Sequence, residues 1–277
     1  YAEIKNDESK FAVLSAPLGG VGDGGLMSDP TVLYHQIHHE KPIYGGHESR
    51  VSLETLKETQ TYFLSMFHIF GSKDDVIKQD LATHGLSLFD HFDIKYVTLH
   101  KEHTLAGNVF PNQVFFLETK QIMSEILSGN NPVYEDDRIV VYKIPKPNSS
   151  EPFLLLGSGW HVFVPEQHLR TTMKNSEILI VNPTNSEMHV TLNVVLHSID
   201  KENTMTVSMN NEELSRVNIP TTFKNVEVDL LLKPGVNVVT LDTNKFSLVE
   251  YGLEGTEIGQ GQKTTISLNV QSISIVN

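Results

Sequence analysis

The stretch HVTLNVVLHSI, residues 189–199, decides the reading of the second half of the chain. Apolar residues alternate with polar ones along it, the period of a strand with one face buried and one face wet. The same alternation recurs in ILIVN (178–182), TMTVSMNN (204–211), VEVDLLL (226–232), VNVVTLDT (236–243) and TISLNVQSISIV (265–276). Turn-forming residues separate these runs: Asn182-Pro183, Asn210-Asn211, Pro234-Gly235, Gly259 and Gly261. Several short strands at such spacing predict an antiparallel β-sandwich.

Working back toward the N-terminus, the period changes. FAVLSAPL (11–18) reads as a buried strand stopped by Pro17 and a glycine-rich turn, and IKYVTLHK (94–101) as a β-branched strand. Helices are predicted from Asp29-Pro30 through Glu40, over 52–70, over 74–91 and over 113–128. VYEDDRIVVYKIP (133–145) reads as a hairpin turning at Asp136-Asp137. Strands alternating with helices imply an α/β layer. The proline-rich join 145–152 separates the textures. The expected fold is therefore α+β and multidomain: a small α/β domain over 1–147, with a mixed sheet and helices, then an antiparallel, jelly-roll-like β-sandwich over 148–277.

Composition narrows the function. The 277 residues carry 34 acidic and 21 basic side chains, a net charge of −13, which disfavours nucleic acid and anionic membrane surfaces as partners. There is no cysteine, so disulfides, thiolate metal sites and cysteine nucleophiles are excluded. No apolar run reaches the roughly 20 residues of a membrane helix, and no signal peptide is legible. A chain opening on Tyr1 reads as a portion excised from a longer protein.

The most unusual segment is HQIHHEKPIYGGHESR, residues 35–50. His35, His38 and His39 stand at i, i+3 and i+4 on a predicted helix, a spacing from which two imidazoles can share a zinc ion. No third ligand is assured and the H-E-x-x-H order is missing, so no metal or cofactor is assigned. Lys41 and Arg50 are candidates to hold a phosphate or carboxylate, Tyr34 to stack on a sugar or lipid-linked head group, and His39 to move a proton. The alternative is internal: Arg50 pairs with Glu54, while Lys41 and Tyr34 lock the loop. The loop Gly19–Gly25 follows a strand but lacks the G-x-G-x-x-G register of a dinucleotide site. Trp160 beside His161 is either core or a sugar platform. Asn148-Ser149-Ser150 is a glycosylation sequon. No Ser-His-Asp order or nucleophile elbow is visible, so no catalytic residue is assigned.

LYHQIHHEKPIYGGHESR (33–50) resembles the motif Y-Y-Q-T-I-H-G-K-P-I-x-G-G-Y-x-S-R. That motif recurs in the extracytoplasmic C-terminal region of multipass membrane proteins related to dolichyl-phosphate-mannose-dependent (GT-C) glycosyltransferases. Tyr34, Gln36, His39, Lys41, Pro42, Ile43, Gly45, Gly46, Ser49 and Arg50 fall on motif positions. His35, His38, Glu40 and His47 depart from it, which weakens the metal reading. AVLSAPLG, IKYVTLHK and YEDDRIVVYKIP resemble further strands of that region. LLLGSGWHVFVPEQHLRTTM (154–173) and LKPGVNVVTLDT (232–243) are similar to a following jelly-roll domain of the galactose-binding type.

The resemblance implies an extracytoplasmic portion of a membrane glycosyltransferase-like protein. Such a portion would be joined to the membrane through preceding segments and help position a lipid-linked sugar or its acceptor. Tyr34, His39, Lys41, Arg50 and Trp160 are the expected ligand contacts. The alternatives are a non-enzymatic carbohydrate-binding or cell-envelope module, and a soluble hydrolase built on the histidines.

Overall fold

The computed structural model describes residues 2–18, 20–22, 25–27, 36–44, 62–68, 73–105, 108–111, 113–161, 163–164, 166–251 and 262–276. The chain divides into two compact units. One comprises 1–56, 63–73 and 80–149; the other comprises 57–62, 74–79 and 150–277.

The first unit is built on a five-stranded mixed sheet. Helix α1 (Ala2–Asn6) precedes β1 (Ala12–Ala16). A glycine-rich hairpin follows, β2 (Gly20–Gly22) with β3 (Gly25–Met27), and then β4 (Ile43–Tyr44). Helix α2 (Leu81–His91) leads into β5 (Ile94–His100). A second hairpin, β6 (Glu102–Leu105) with β7 (Asn108–Pro111), leads into α3 (Gln113–Ile126). The unit closes with β8 (Tyr134–Glu135) and β9 (Ile139–Lys143). The sheet order is β4-β1-β5-β9-β8, with β1 parallel to β4 and β5 and the remaining pairs antiparallel.

Side chains alternate across this sheet. Val13, Tyr96, Ile139 and Val141 share one face, and Ile4 of α1 and Phe11 cover it. Helices α2 and α3 pack on β5 and on each other. Their close approach depends on Gly85, where a Cβ would stand 2.5 Å from the Ile126 side chain. Phe63, Phe67, Phe89 and Phe92 form an aromatic cluster, with Phe63 and Phe89 edge-on at 4.9 Å. The hairpin at 133–145 turns where the Asp136 carboxylate accepts the N–H groups of Arg138 and Ile139.

The second unit is a sandwich of two antiparallel sheets, jelly-roll-like as expected. One has the order β10 (Phe153–Leu156), β12 (Asn175–Asn182), β17 (Gly235–Thr243), β14 (Asn203–Met209), β15 (Glu212–Ile219). The other has the order β11 (Arg170–Thr171), β20 (Leu268–Val276), β13 (Met188–Ser198), β16 (Lys224–Leu232). A separate hairpin pairs β18 (Ser247–Tyr251) with β19 (Gln262–Ile266). Val190, Leu192, Val194 and Leu196 of β13 and Val226, Val228, Leu230 and Leu232 of β16 point inward and are buried. The strand-by-strand alternation is what a two-sheet core requires.

The helix expected over 74–91 is corrected. It begins at Leu81, and Asp80 caps it by accepting the Thr83 N–H at 3.0 Å. Residues 74–79 belong instead to the sandwich. Ile77 bridges Ile273 in parallel: Lys78 N–H donates to the Ile273 carbonyl and Ile273 N–H to that of Val76. The Gln79 side chain exchanges two hydrogen bonds with the backbone of Leu154. Asp75 is fixed by Arg170, whose Nε and Nη2 donate to its two carboxylate oxygens at 2.7 and 2.5 Å. The expected helix over 52–70 lies largely outside the described residues; 62–65 are helical.

Candidate functional site

Of the five residues nominated from sequence, Tyr34 and Arg50 lie outside the described residues. Residues 36–39 are helical, and Glu40, with a φ of 60°, turns the chain. His39 is buried and its Nδ1 accepts the Lys41 N–H at 3.1 Å, so one ring nitrogen is spent inside the loop. The Lys41 ammonium donates to the Asp7 carbonyl and lies 4.9 Å over the Phe11 ring. Glu40 pairs with Lys5 of α1, and that hydrogen bond holds the Glu40 carboxyl below its ordinary range. Asp7 is held well below the usual carboxylate range, first by a hydrogen bond from Lys95 and then by Ser9. Residues 39–42 thus clasp the end of α1 to the sheet, and the Pro42 carbonyl accepts the Val13 N–H. Lys41, read from sequence as an anion holder, has an internal partner.

Trp160 is half-buried, and its indole N–H donates to the Glu177 carbonyl at 2.6 Å. The neighbouring Gly159 has φ 84°, and a Cβ there would meet the Asn175 carbonyl oxygen at 1.9 Å. Its own carbonyl accepts from Met173 N–H and the Ser176 hydroxyl. These contacts lock residues 157–160 against β12.

An arrangement that sequence reasoning missed lies on the outward face of the four-stranded sheet. Thr171 (β11), Asn269 (β20) and His197 (β13) are cross-strand neighbours in one row. The Thr171 hydroxyl donates to Asn269 Oδ1 at 3.3 Å, and Asn269 Nδ2 faces His197 Nε2 at 3.3 Å. The row ends on Phe223, 50% exposed, whose ring meets that of His197 edge-on at 4.6 Å. With strands ~4.8 Å apart, three strands give a polar row roughly 10 Å long. Beyond Val195 on the same face, Asn193 and Ser274, paired across β13 and β20, and Glu227, opposite Asn193 on β16, add further polar groups. Amide, hydroxyl and imidazole groups offer donors and acceptors side by side, and one exposed aromatic ring flanks them.

A second arrangement lies in the first unit. Ser15 on β1 and His100 on β5 are both buried, and Ser15 Oγ stands 2.9 Å from His100 Nε2. Thr98, opposite Ser15 in the register, is also buried, and its hydroxyl makes no hydrogen bond among the described residues.

No family model matches this chain, and no curated protein matches it. Among solved structures it is similar to a family 35 carbohydrate-binding module from an environmental isolate. The TM-score is 0.24 and the identity 17%, over 43% of this chain and 77% of that one. It is also similar to the family 35 module of Cellvibrio japonicus Abf62 (TM-score 0.26, 15% identity, 46% of this chain and 94% of that one). A family two carbohydrate esterase from Clostridium thermocellum matches with TM-score 0.27 and 12% identity, over 44% of this chain and 31% of that one.

Proposed function

We propose that the second unit is a glycan-binding module and that its binding surface is the outward face of the β11-β20-β13-β16 sheet. The observation that carries this reading is the row Thr171–Asn269–His197 ending on the half-exposed Phe223 ring. A sugar ring has an apolar C–H face and a rim of hydroxyls. It is held where an aromatic surface meets groups that both donate and accept hydrogen bonds. The hydrogen-bonding groups stand on rigid strands and the ring immediately precedes one, β16, which lowers the ordering cost of binding.

The test is titration of the whole chain against an array of neutral oligosaccharides, followed by calorimetry on the best ligand. Phe223→Ala and Asn269→Ala should each weaken binding by tenfold or more while leaving the melting temperature within a degree or two. Binding that survives both substitutions, or no binding to any glycan, sinks the proposal.

A narrower reading, in which this module serves a membrane glycosyltransferase-like protein on the extracytoplasmic side and holds its acceptor glycan, rests on the motif at 33–50. Sequencing the gene upstream tests it: several apolar spans there would support the reading, and a secretory signal alone would end it.

A further inference from the structure

The first unit carries chemistry that a glycan-binding sandwich does not need. In its sheet order, β1 is followed by a parallel strand on one side, β4, and then by a parallel strand on the other side, β5. The direction of winding therefore reverses at the β1–β5 seam. In parallel sheets the space outside the carboxyl ends of the strands flanking such a reversal is where small ligands bind. Ser15 and His100 stand near the carboxyl ends of those two strands, and a hairpin leaves each end: β2–β3 after β1, and β6–β7 after β5. The row on the seam is polar and buried: Ser15, Thr98 and His100 share one face.

We propose that Ser15 is a nucleophile activated by His100, in a site that takes a small carboxylic ester. A hydroxyl within hydrogen-bond reach of an imidazole is the arrangement that generates an alkoxide-like nucleophile near neutral pH. With the ring proton on Nδ1, Ser15 Oγ–H donates to Nε2 across the 2.9 Å contact. His100 then takes the Oγ proton as the Oγ–C bond forms at the ester carbonyl. The C–O bond to the alcohol breaks, and His100 returns the proton to the departing oxygen. Water, deprotonated by His100, attacks the acyl-Ser15 carbonyl; the Oγ–C bond breaks and the proton passes back to Oγ. The sum is ester plus water giving acid plus alcohol. Thr98 supports the assignment from a separate direction. A buried hydroxyl without a partner is costly, and such groups persist where a ligand completes them. Thr98 Oγ1 lies opposite Ser15 in the register and is suited to donate to a substrate oxygen.

The experiment treats the whole chain with diisopropyl fluorophosphate, maps the adduct by peptide mass spectrometry, and follows hydrolysis of p-nitrophenyl acetate. One adduct is expected, on Ser15. It should be absent in Ser15→Ala and form on the order of a hundredfold more slowly in His100→Gln. Thr98→Val should slow ester hydrolysis severalfold without lowering the melting temperature, because it removes only a hydroxyl that makes no hydrogen bond among the described residues. If Ser15→Ala does not fold, the wild-type adduct and the His100→Gln rate still decide. No adduct, an adduct on another serine, or an unchanged rate in His100→Gln overturns the proposal.

Discussion

Arg170 and Asp75, 95 residues apart, form a doubly hydrogen-bonded ion pair that is almost wholly withdrawn from water, with side chains 4% and 2% exposed. The guanidinium is further tied by Nη1 to the His161 carbonyl, and Asp75 accepts its neighbour's Val76 N–H. Truncating one partner strands the other charge in the interior. Asp75→Ala should therefore cost about 3–5 kcal/mol in urea unfolding of the second unit. Asp75→Leu with Arg170→Met should recover most of that loss, because a well-packed apolar pair carries no desolvation cost. A single-variant cost below about 1 kcal/mol would show that the pair is hydrated in solution.

Gly85 should not tolerate the substitution that helix propensity favours. Alanine in an exposed helix gains roughly 1 kcal/mol over glycine. Here the new methyl would press on Ile126 at 2.5 and 2.7 Å, and overpacking of that kind costs about 1–3 kcal/mol. Gly85→Ala should thus destabilise the first unit, and adding Ile126→Val should relieve part of the loss. A melt showing Gly85→Ala more stable than the parent would place the two helices farther apart than described here.

Trp160 is the only tryptophan, so its emission reports on the second unit alone. Its indole N–H bond to Glu177 is structural, and the same carbonyl also accepts the Gly157 N–H. Trp160→Phe should therefore cost about 1 kcal/mol, a few degrees of melting temperature, and leave glycan affinity within twofold. Loss of binding with unchanged stability would identify Trp160 as a sugar platform.

Asp80 is held below its ordinary pKa by the Thr83 hydroxyl first and then by the backbone N–H groups of Thr83 and Ala82. A lowered folded-state value means that its stabilisation is whole above the unfolded aspartate's pKa, about 3.9, and is lost as pH falls through the folded value. Asp80→Ala should cost about 1 kcal/mol near neutrality, the usual worth of such a cap. That difference should shrink in melts taken in strong acid. A cost independent of pH would mean that the uncharged carboxyl caps equally well.

The sandwich was legible because its strands state their own inward face: four buried apolar residues recur at every second position along β13 and along β16, and the positions between them are polar except for Val195 and Leu231. The segment 74–79 was not legible. Its identity as part of the sandwich is set by Ile273 and Arg170, far along the chain, while its local sequence runs without a break into the helix that Asp80 starts. The site nominees fared by the same logic. His39 and Lys41 attracted notice as polar groups, yet their partners, the Lys41 amide and Asp7, are close in space for reasons of loop geometry. Ser15 and His100 attracted none, because two residues 85 apart meet only through the parallel register of β1 with β5. The Thr171–Asn269–His197 row escaped because polar outward positions look alike in sequence whether or not they bind anything.

Since the carboxylate facing Arg170 comes from residue 75, the sandwich is not a contiguous cassette. A gene fragment encoding 150–277 would be born with an orphaned guanidinium and an uncovered Ile273 edge, and should express as an aggregation-prone product. Recombination that moves a domain between proteins by one cut at each end cannot carry this one intact.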